Sequence, residues 1–374
     1  EMLEVLEGTG VKSVAIGGIK STNVLRVLHG TQTPSGHALD GVAVVSDIVA
    51  STEPFGAAQR LSTTIRAWAA LPRGRTSFSP SSAYTSGKVI EAAAALVATV
   101  RRTKPLAHQI TNNVVKTQSA NVTLALGASP IMAEGAVEQA ELAHARGGLL
   151  VNFGTLGDLP GMLEAGAHAN LRGKPVVFDP VGVGATAFRR KTAGELLDRW
   201  QPTVIKGNAA EIGALAQLDE VQAQGVDSVG GFKDAAGVVR ALAQRERCIV
   251  ALSGPVDYIS DGATVLRLAN GHALLADITG SGCILGTAVA TFCGAASIAA
   301  SPAPPHPEAS GTLVQGDMLV AAAAGTLALT IAAELAVEQG AVRGPGTFLP
   351  ALIDELAALT PEKVRERAKL EVVM

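Results

Sequence analysis

The residues best suited to chemistry lie in Ala276–Phe292, ADITGSGCILGTAVATF. Thr279-Gly-Ser-Gly-Cys283 reads as a tight loop opening a buried helix. Its glycines let backbone N–H groups approach an anion closely, and a helix N-terminus adds partial positive charge. A cysteine in that first turn has its thiolate favoured. The same stretch also reads as a glycine turn before a core helix, with Cys283 a small hydrophobe. Five more stretches fall just after expected strands: Gln109-Ile-Thr-Asn112, Met132, Asp179-Pro-Val-Gly-Val-Gly-Ala185 with Arg189, Asn208-Ala-Ala-Glu211 and Ser253-Gly-Pro-Val-Asp257. Each has a plainer reading. Asp179 suits a turn cap, Glu211 a helix's first turn, Met132 a core and Arg189 a solvated surface. Their shared position lifts the set, because open α/β sheets bind ligands outside the carboxyl ends of their strands.

Those positions depend on a regular alternation that begins at Gly87. Helices are expected over Lys88–Arg102, Val114–Leu126, Ala136–Arg146, Leu159–Leu171, Thr192–Trp200, Ala209–Gln217 and Lys233–Gln244. Strands are expected over Leu106–Thr111, Ser129–Met132, Gly148–Phe153, Pro175–Asp179, Thr203–Lys206 and Cys248–Ser253. Such alternation predicts a parallel, doubly wound sheet. Tyr258–Leu275 carries Asp261-Gly262 and Asn270-Gly271, both hairpin signals. Long C-terminal helices follow. Residues 297–316, rich in proline, are expected to be a disordered surface insertion, and residues 361–374 a charged helix or frayed tail. Before this region, VKSVAIGGI at 11–19 and DGVAVVSDI at 40–48 read as buried strands around a helix at Thr22–His29. Residues 67–86 read as a linker.

Composition narrows the function. Apolar residues make up 48% of the 374 and aromatics only 3%, so packing should be tight and helix-to-sheet. The net charge of −3 argues against a nucleic-acid or anionic-membrane partner, which needs a basic face. Three cysteines and seven histidines show no zinc-ligand spacing. Ile278–Ala300 and Met318–Ala333 lack charges, but they are rich in Ala, Gly and Thr, without basic flanks or an aromatic belt. They are read as buried helices, not membrane spans. No basic segment followed by an apolar core opens the chain, and a cytoplasmic protein is expected.

Two resemblances sharpen this. IGGI, Asn23 and GVAVVSDI are similar to the last two strands of the (β/α)8 barrel of thiamine phosphate synthase. The resemblance implies a C-terminal barrel fragment over 1–66, with Gly18, Val45 and Ser46 at the phosphate. No synthase activity is expected, because most of the barrel lies outside this chain. From Lys88 to Leu356 the motifs HQITNNVV, ANVTLALGASPIMA, VNFGTL, DPVGVGAT, IKGNAAEI, GVDSV, DITGSGC and GPGTF closely resemble hydroxyethylthiazole kinase. That resemblance implies a ribokinase-like three-layer α/β/α sandwich over 87–360. It also implies ATP- and Mg2+-dependent phosphorylation of the alcohol of 4-methyl-5-(2-hydroxyethyl)thiazole, within a fungal-type bifunctional thiamine enzyme. By the same resemblance Cys283 is the general base, and Met132, Gly282 and Asn112 line the thiazole pocket. Arg189 and Ser253 contact ATP, Asp179 and Glu211 support Mg2+, and the protein is a trimer-based homo-oligomer. Most kinases of the wider fold carry aspartate at the base position, so the cysteine points to this branch. Two alternatives stay open: a hydroxymethylpyrimidine-type vitamin kinase and a non-catalytic assembly module.

Overall fold

The structure is a computed structural model that describes residues 2–33, 35–69, 84–218, 222–224, 227–229, 231–301 and 312–373. Residues 70–83 of the expected linker and 302–311 of the expected insertion lie outside the described residues. Near the N-terminus, β1 (Val14–Ile16) and β2 (Gly41–Ala43) pair in parallel around a helix at Val24–Thr31. This is one βαβ unit, with strands shorter than the apolar runs at 11–19 and 40–48. Gly18 follows β1 with φ +63°, and Val45 and Ser46 follow β2, so the three lie at the same end of the strand pair. The unit leans on the rest of the chain: Arg26 Nη2 donates to Leu197 O, and Arg247 Nε donates to Gln32 O, each at 2.5 Å.

The main sheet contains β3 (Leu106–Ile110), β4 (Ser129–Ile131), β5 (Gly147–Asn152), β6 (Val176–Asp179) and β7 (Val204–Asn208). A small antiparallel hairpin, β8 (Gln222–Gln224) and β9 (Asp227–Val229), stands apart. The sheet continues with β10 (Ile249–Ser253), β11 (Asp257–Ser260), β12 (Val265–Leu268) and β13 (Leu370–Val372). Its order is β13-β12-β11-β10-β7-β6-β5-β3-β4. The central strands are parallel and buried on both faces, which is why GGLLVN and VVFD are almost wholly apolar. Helices cover both faces. Ser86–Thr103, Lys116–Leu126, Ser281–Ala300 and Met318–Glu338 pack together on one, and Leu159–Leu171 with Ala187–Arg199 pack on the other. This is a three-layer α/β/α sandwich.

Two expectations need correction. The sheet is mixed, not all parallel: β10, β11, β12 and β13 run antiparallel in succession. Asp261-Gly262 does form the β11–β12 hairpin, but Asn270-Gly271 forms none. Its Asn270 side chain is captured by Glu334 and by Arg367 O at 2.8 Å, which holds the chain away from a tight turn. Of the two readings of residues 361–374, the charged helix is the one that forms. After a helix at Pro361–Arg367, β13 pairs with β12 and closes that edge.

Among the described residues two helices, Ser281–Ala300 and Met318–Glu338, are long and apolar enough to cross a membrane, yet each is mostly buried inside this fold. Their small residues explain how they pack. A Cβ on Gly148 of β5 would lie 2.2 Å from Ala290 O, and one on Gly325 would lie 2.7 Å from Val289 Cα. Backbone therefore meets backbone, and the first turn of Ser281–Ala300 is seated rigidly over the sheet. Gly148→Ala should cost on the order of 1–3 kcal/mol, because the crowded group is backbone and cannot rotate away. Denaturant unfolding measures this; unchanged stability would contradict the close seating.

Candidate active site

The site grows from the register of three strands. Asn152 ends β5 directly opposite Asp179, which ends β6. Phe178 pairs with Ile205, so the next residues, Asp179 and Lys206, stand level across β6 and β7. Asn, Asp and Lys thus form one row across adjacent strands, with Asn152 and Asp179 at their strands' ends and Lys206 two residues short of the end of β7. Asn152 Nδ2 donates to Asp179 Oδ2 at 2.7 Å, and Lys206 Nζ donates to Asp179 Oδ1 at 3.2 Å. Asn112, just beyond β3, donates through Nδ2 to Asn152 Oδ1 at 3.1 Å and to Cys283 Sγ at 3.3 Å. A continuous polar chain therefore runs from the thiol to the ammonium.

The turn above this row is built by Gly280. It sits at φ +79° as the N-cap of Ser281–Ala300, and a Cβ there would lie 2.8 Å from Val115 Cγ2. Only glycine meets both demands. The first helical hydrogen bond runs from Ile284 N to Gly280 O at 2.9 Å, so the N–H groups of Ser281, Gly282 and Cys283 precede it. Gly282 and Gly286 let the row touch the helix: their Cβ atoms would lie 3.2 Å from Lys206 Nζ and 3.3 Å from Asp179 Oδ2.

Glu211 reaches the same place from the next loop. Its helix, Ala209–Ala216, is closed by a capping box in which Asn208 Oδ1 accepts from Glu211 N and Glu211 Oε2 accepts from Asn208 N at 2.8 Å. Glu211 Oε1 accepts from Gly182 N at 3.0 Å, and Gly182 sits at φ +67° in the loop after β6. Both carboxylates are buried, and burial pushes both upward from their ordinary range against the pull of Lys206. Burial also works against the charge on Lys206, but Asp179 and Glu211 outweigh it and hold the ammonium above its ordinary value. Asp257, at the start of β11, is pushed up to about 7 by burial, opposed by the Gly254 N–H at 3.0 Å.

Cys283 departs from the sequence expectation. Burial, and then the Asp179 charge, push its thiol up to about 11, against Lys206 and the two asparagines. Helix position alone favours the thiolate, but here desolvation wins. The resting site holds a thiol.

Other expected residues lie around this centre. Arg189 faces inward, donating to Phe153 O, Val181 O and Gly154 O, each at 2.9 Å, so it ties the loops after β5 and β6 together. Ser253, at the end of β10, donates to Gly207 O at 3.4 Å. Met132 follows β4 and is half-buried. Asn152 and Lys206 were not picked out from the sequence. Their signal was present: each follows directly on an apolar run, Leu149-Leu-Val before Asn152 and Val204-Ile before Lys206.

The arrangement suits an anion above the turn and an acceptor hydroxyl beside Sγ. Among the described residues no group of three or more His, Cys, Asp or Glu forms a metal cage. A Mg2+ held by one or two carboxylates and completed by substrate phosphates needs none.

The hydroxyethylthiazole kinase family model matches residues 97–302. The hydroxyethylthiazole kinase of Desulforudis audaxviator is 43% identical over 277 residues, covering 74% of this chain and 93% of that protein. The probable thiamine biosynthetic bifunctional enzyme of Schizosaccharomyces pombe is 37% identical over 373 residues, covering 96% of this chain and 67% of that protein. The structure of a hydroxyethylthiazole kinase protein from Pyrococcus horikoshii OT3 superimposes with a TM-score of 0.63 at 35% identity, covering 75% of this chain and 99% of that one.

With its thiol near 11, Cys283 should alkylate with iodoacetamide at a rate rising about tenfold per pH unit from pH 8 to beyond pH 10. Mass spectrometry of the peptide containing Cys283 measures it. A rate that levels off below pH 9 would contradict the buried, protonated thiol.

Proposed function

The chain belongs to the hydroxyethylthiazole kinase family, and we propose that the row beneath the Thr279–Cys283 turn performs its phosphoryl transfer, with Cys283 facing the acceptor hydroxyl. The protein is a kinase of thiamine biosynthesis: it moves the γ-phosphoryl group of ATP to the primary alcohol of 4-methyl-5-(2-hydroxyethyl)thiazole. The observation that carries the site assignment is the hydrogen-bonded chain from Cys283 through Asn112 and Asn152 to Asp179.

Phosphoryl transfer passes through a loose transition state, so positioning and charge neutralisation outweigh a strong base. The N–H groups of residues 281–283 meet the transferred group as its charge develops. Met132, Gly282 and Asn112 hold the thiazole, while Arg189 and Ser253 shape the nucleotide side. The hydroxyl oxygen bonds to phosphorus, the bond to ADP breaks, and the hydroxyl proton passes to Cys283. That proton leaves late, once the new P–O bond has made it acidic, which suits a site whose thiolate is scarce. Each unit between the working pH and the thiol's own value costs about 1.4 kcal/mol. Asp179 and Glu211 are the residues that would hold Mg2+, directly or through water. The fit is chemical: two buried carboxylates repel each other and leave hard oxygen donors for a hard cation. When bound, the ion supplies counter-charge to the phosphate oxygens.

For residues 1–66 we read the C-terminal fragment of a thiamine phosphate synthase barrel, its phosphate side marked by Gly18, Val45 and Ser46. The parallel βαβ unit supports this, as does the similarity to the bifunctional S. pombe protein along 96% of the chain. A trimer-based homo-oligomer and a cytoplasmic place belong to the same reading and rest on the family.

Purified protein with Mg2+ should turn over ATP when the thiazole alcohol is added and remain at background with hydroxymethylpyrimidine; the reverse preference would sink the substrate assignment. Cys283→Ser should lower kcat on the order of tenfold to a hundredfold while KM for ATP stays within about threefold. An unchanged kcat would remove Cys283 from the base role.

A further inference from the structure

We propose that His108 is a positioning residue of the acceptor pocket: its ring N–H pins Ala133 O and so sets where Met132 meets the thiazole alcohol. The inference rests on the kinase reading above, in which Met132 lines that pocket. Met132 needs such a pin. It follows directly on β4, a strand of three residues at the edge of the sheet. β4 pairs with β3 through Ser129, Pro130 and Ile131 alone, and its middle residue has no N–H to give to a ladder. The pairing stops one residue before Met132.

The last rung of that pairing sets His108 opposite Ile131. From there its ring reaches past the end of the ladder, and Nε2 stands 2.8 Å from Ala133 O. A carbonyl can only accept, so Nε2 carries the proton. The ring is only 3% exposed and stays neutral: burial pushes it down to about 4, against the pull of Ala133 O and with the help of the Lys174 charge. A neutral side-chain donor thus takes the place of the next backbone rung. The loop is held again further along. Lys116 pairs with Glu134, Gln139 Nε2 donates to Gly135 O at 2.9 Å, and a Cβ on Gly161 would lie 1.9 Å from Glu134 O, so the helix Leu159–Leu171 abuts the loop. His108 holds the stretch between these clasps and the sheet. Because a methionine side chain is itself adaptable, its backbone decides which wall it gives the pocket. The adjacent Gln109 points to the opposite face, where Thr287 donates to its Oε1 at 2.7 Å and its Nε2 donates to Thr123 at 2.9 Å. His108 therefore lies on the face away from the helix that carries the Cys283 turn, and replacing it leaves the anion side of the site in place.

Two variants separate the hydrogen bond from the packing. His108→Leu removes the donor, and His108→Gln returns an amide N–H near the place of Nε2. Steady-state kinetics with ATP, Mg2+ and the thiazole alcohol should show KM for the alcohol raised about tenfold in His108→Leu, with KM for ATP within about twofold. His108→Gln should bring KM for the alcohol back to within about threefold of wild type. Neither constant depends on how much of the preparation is folded, so a loss of fold would not imitate this split. A double-mutant cycle then asks whether His108 acts through Met132. Met132→Ala should itself raise KM for the alcohol, and adding His108→Leu to it should raise KM by less than about threefold more. If His108→Leu leaves KM for the alcohol unchanged, raises both KM values alike, or adds its full tenfold on top of Met132→Ala, His108 is a packing residue and the inference is overturned. A His108→Gln variant as impaired as His108→Leu overturns it as well. If Met132→Ala alone changes nothing, Met132 leaves the pocket and this inference goes with it. If the wild type shows no alcohol-dependent turnover, the kinase reading falls first and takes this inference with it.

Discussion

A carboxylate with no exposure to water must find donors or give up its charge, and Asp179 is such a carboxylate. Burial alone would leave it neutral. Asn152 and Lys206 oppose that, one through each oxygen, and both stand beside it because the register of three parallel strands sets them level with it. The rest of the site follows from this constraint. Asn152 can orient its amide only with its own oxygen turned to Asn112, and Asn112 is then turned to Cys283. The polarity of the whole row is set by the charge at its centre.

Bringing a helix down onto that row requires the small residues that dominate the C-terminal third. Gly282 and Gly286 lie a helical turn apart on the face that meets Lys206 and Asp179, and Gly294 continues the stripe onto Gly148. Larger side chains there would lift the Gly280–Cys283 turn off the sheet, and the distance from Sγ to Asn112 would grow with it. The scarcity of aromatics is thus tied to the chemistry through packing: the site needs backbone against backbone. The same close approach excludes water, which pushes Cys283 and the carboxylates upward together.

Much of this was legible in the sequence, and what was not has physical causes. Asp179, Glu211 and Cys283 are flagged by glycine-containing turns next to apolar runs, and Asn112 by a polar turn after an apolar strand, which are local features. Asn152 and Lys206 matter because of register across neighbouring strands, and no single stretch encodes register. The protonation of Cys283 went against the local rule because desolvation belongs to the assembled core and not to the helix turn. The edge strand Leu370–Val372 is too short to show a period, and Asn270-Gly271 loses its turn to partners at Glu334 and Arg367, distant in sequence.

The central claim is that one place brings together the acceptor hydroxyl, the thiol and the anion-binding turn. A crystal structure with ADP, aluminium fluoride, Mg2+ and the thiazole alcohol bound tests this most directly. The hydroxyl oxygen should lie within hydrogen-bond distance of Cys283 Sγ, and the phosphoryl mimic against the N–H groups of residues 281–283. A mimic seated away from that turn, or a hydroxyl turned away from Cys283, would contradict it.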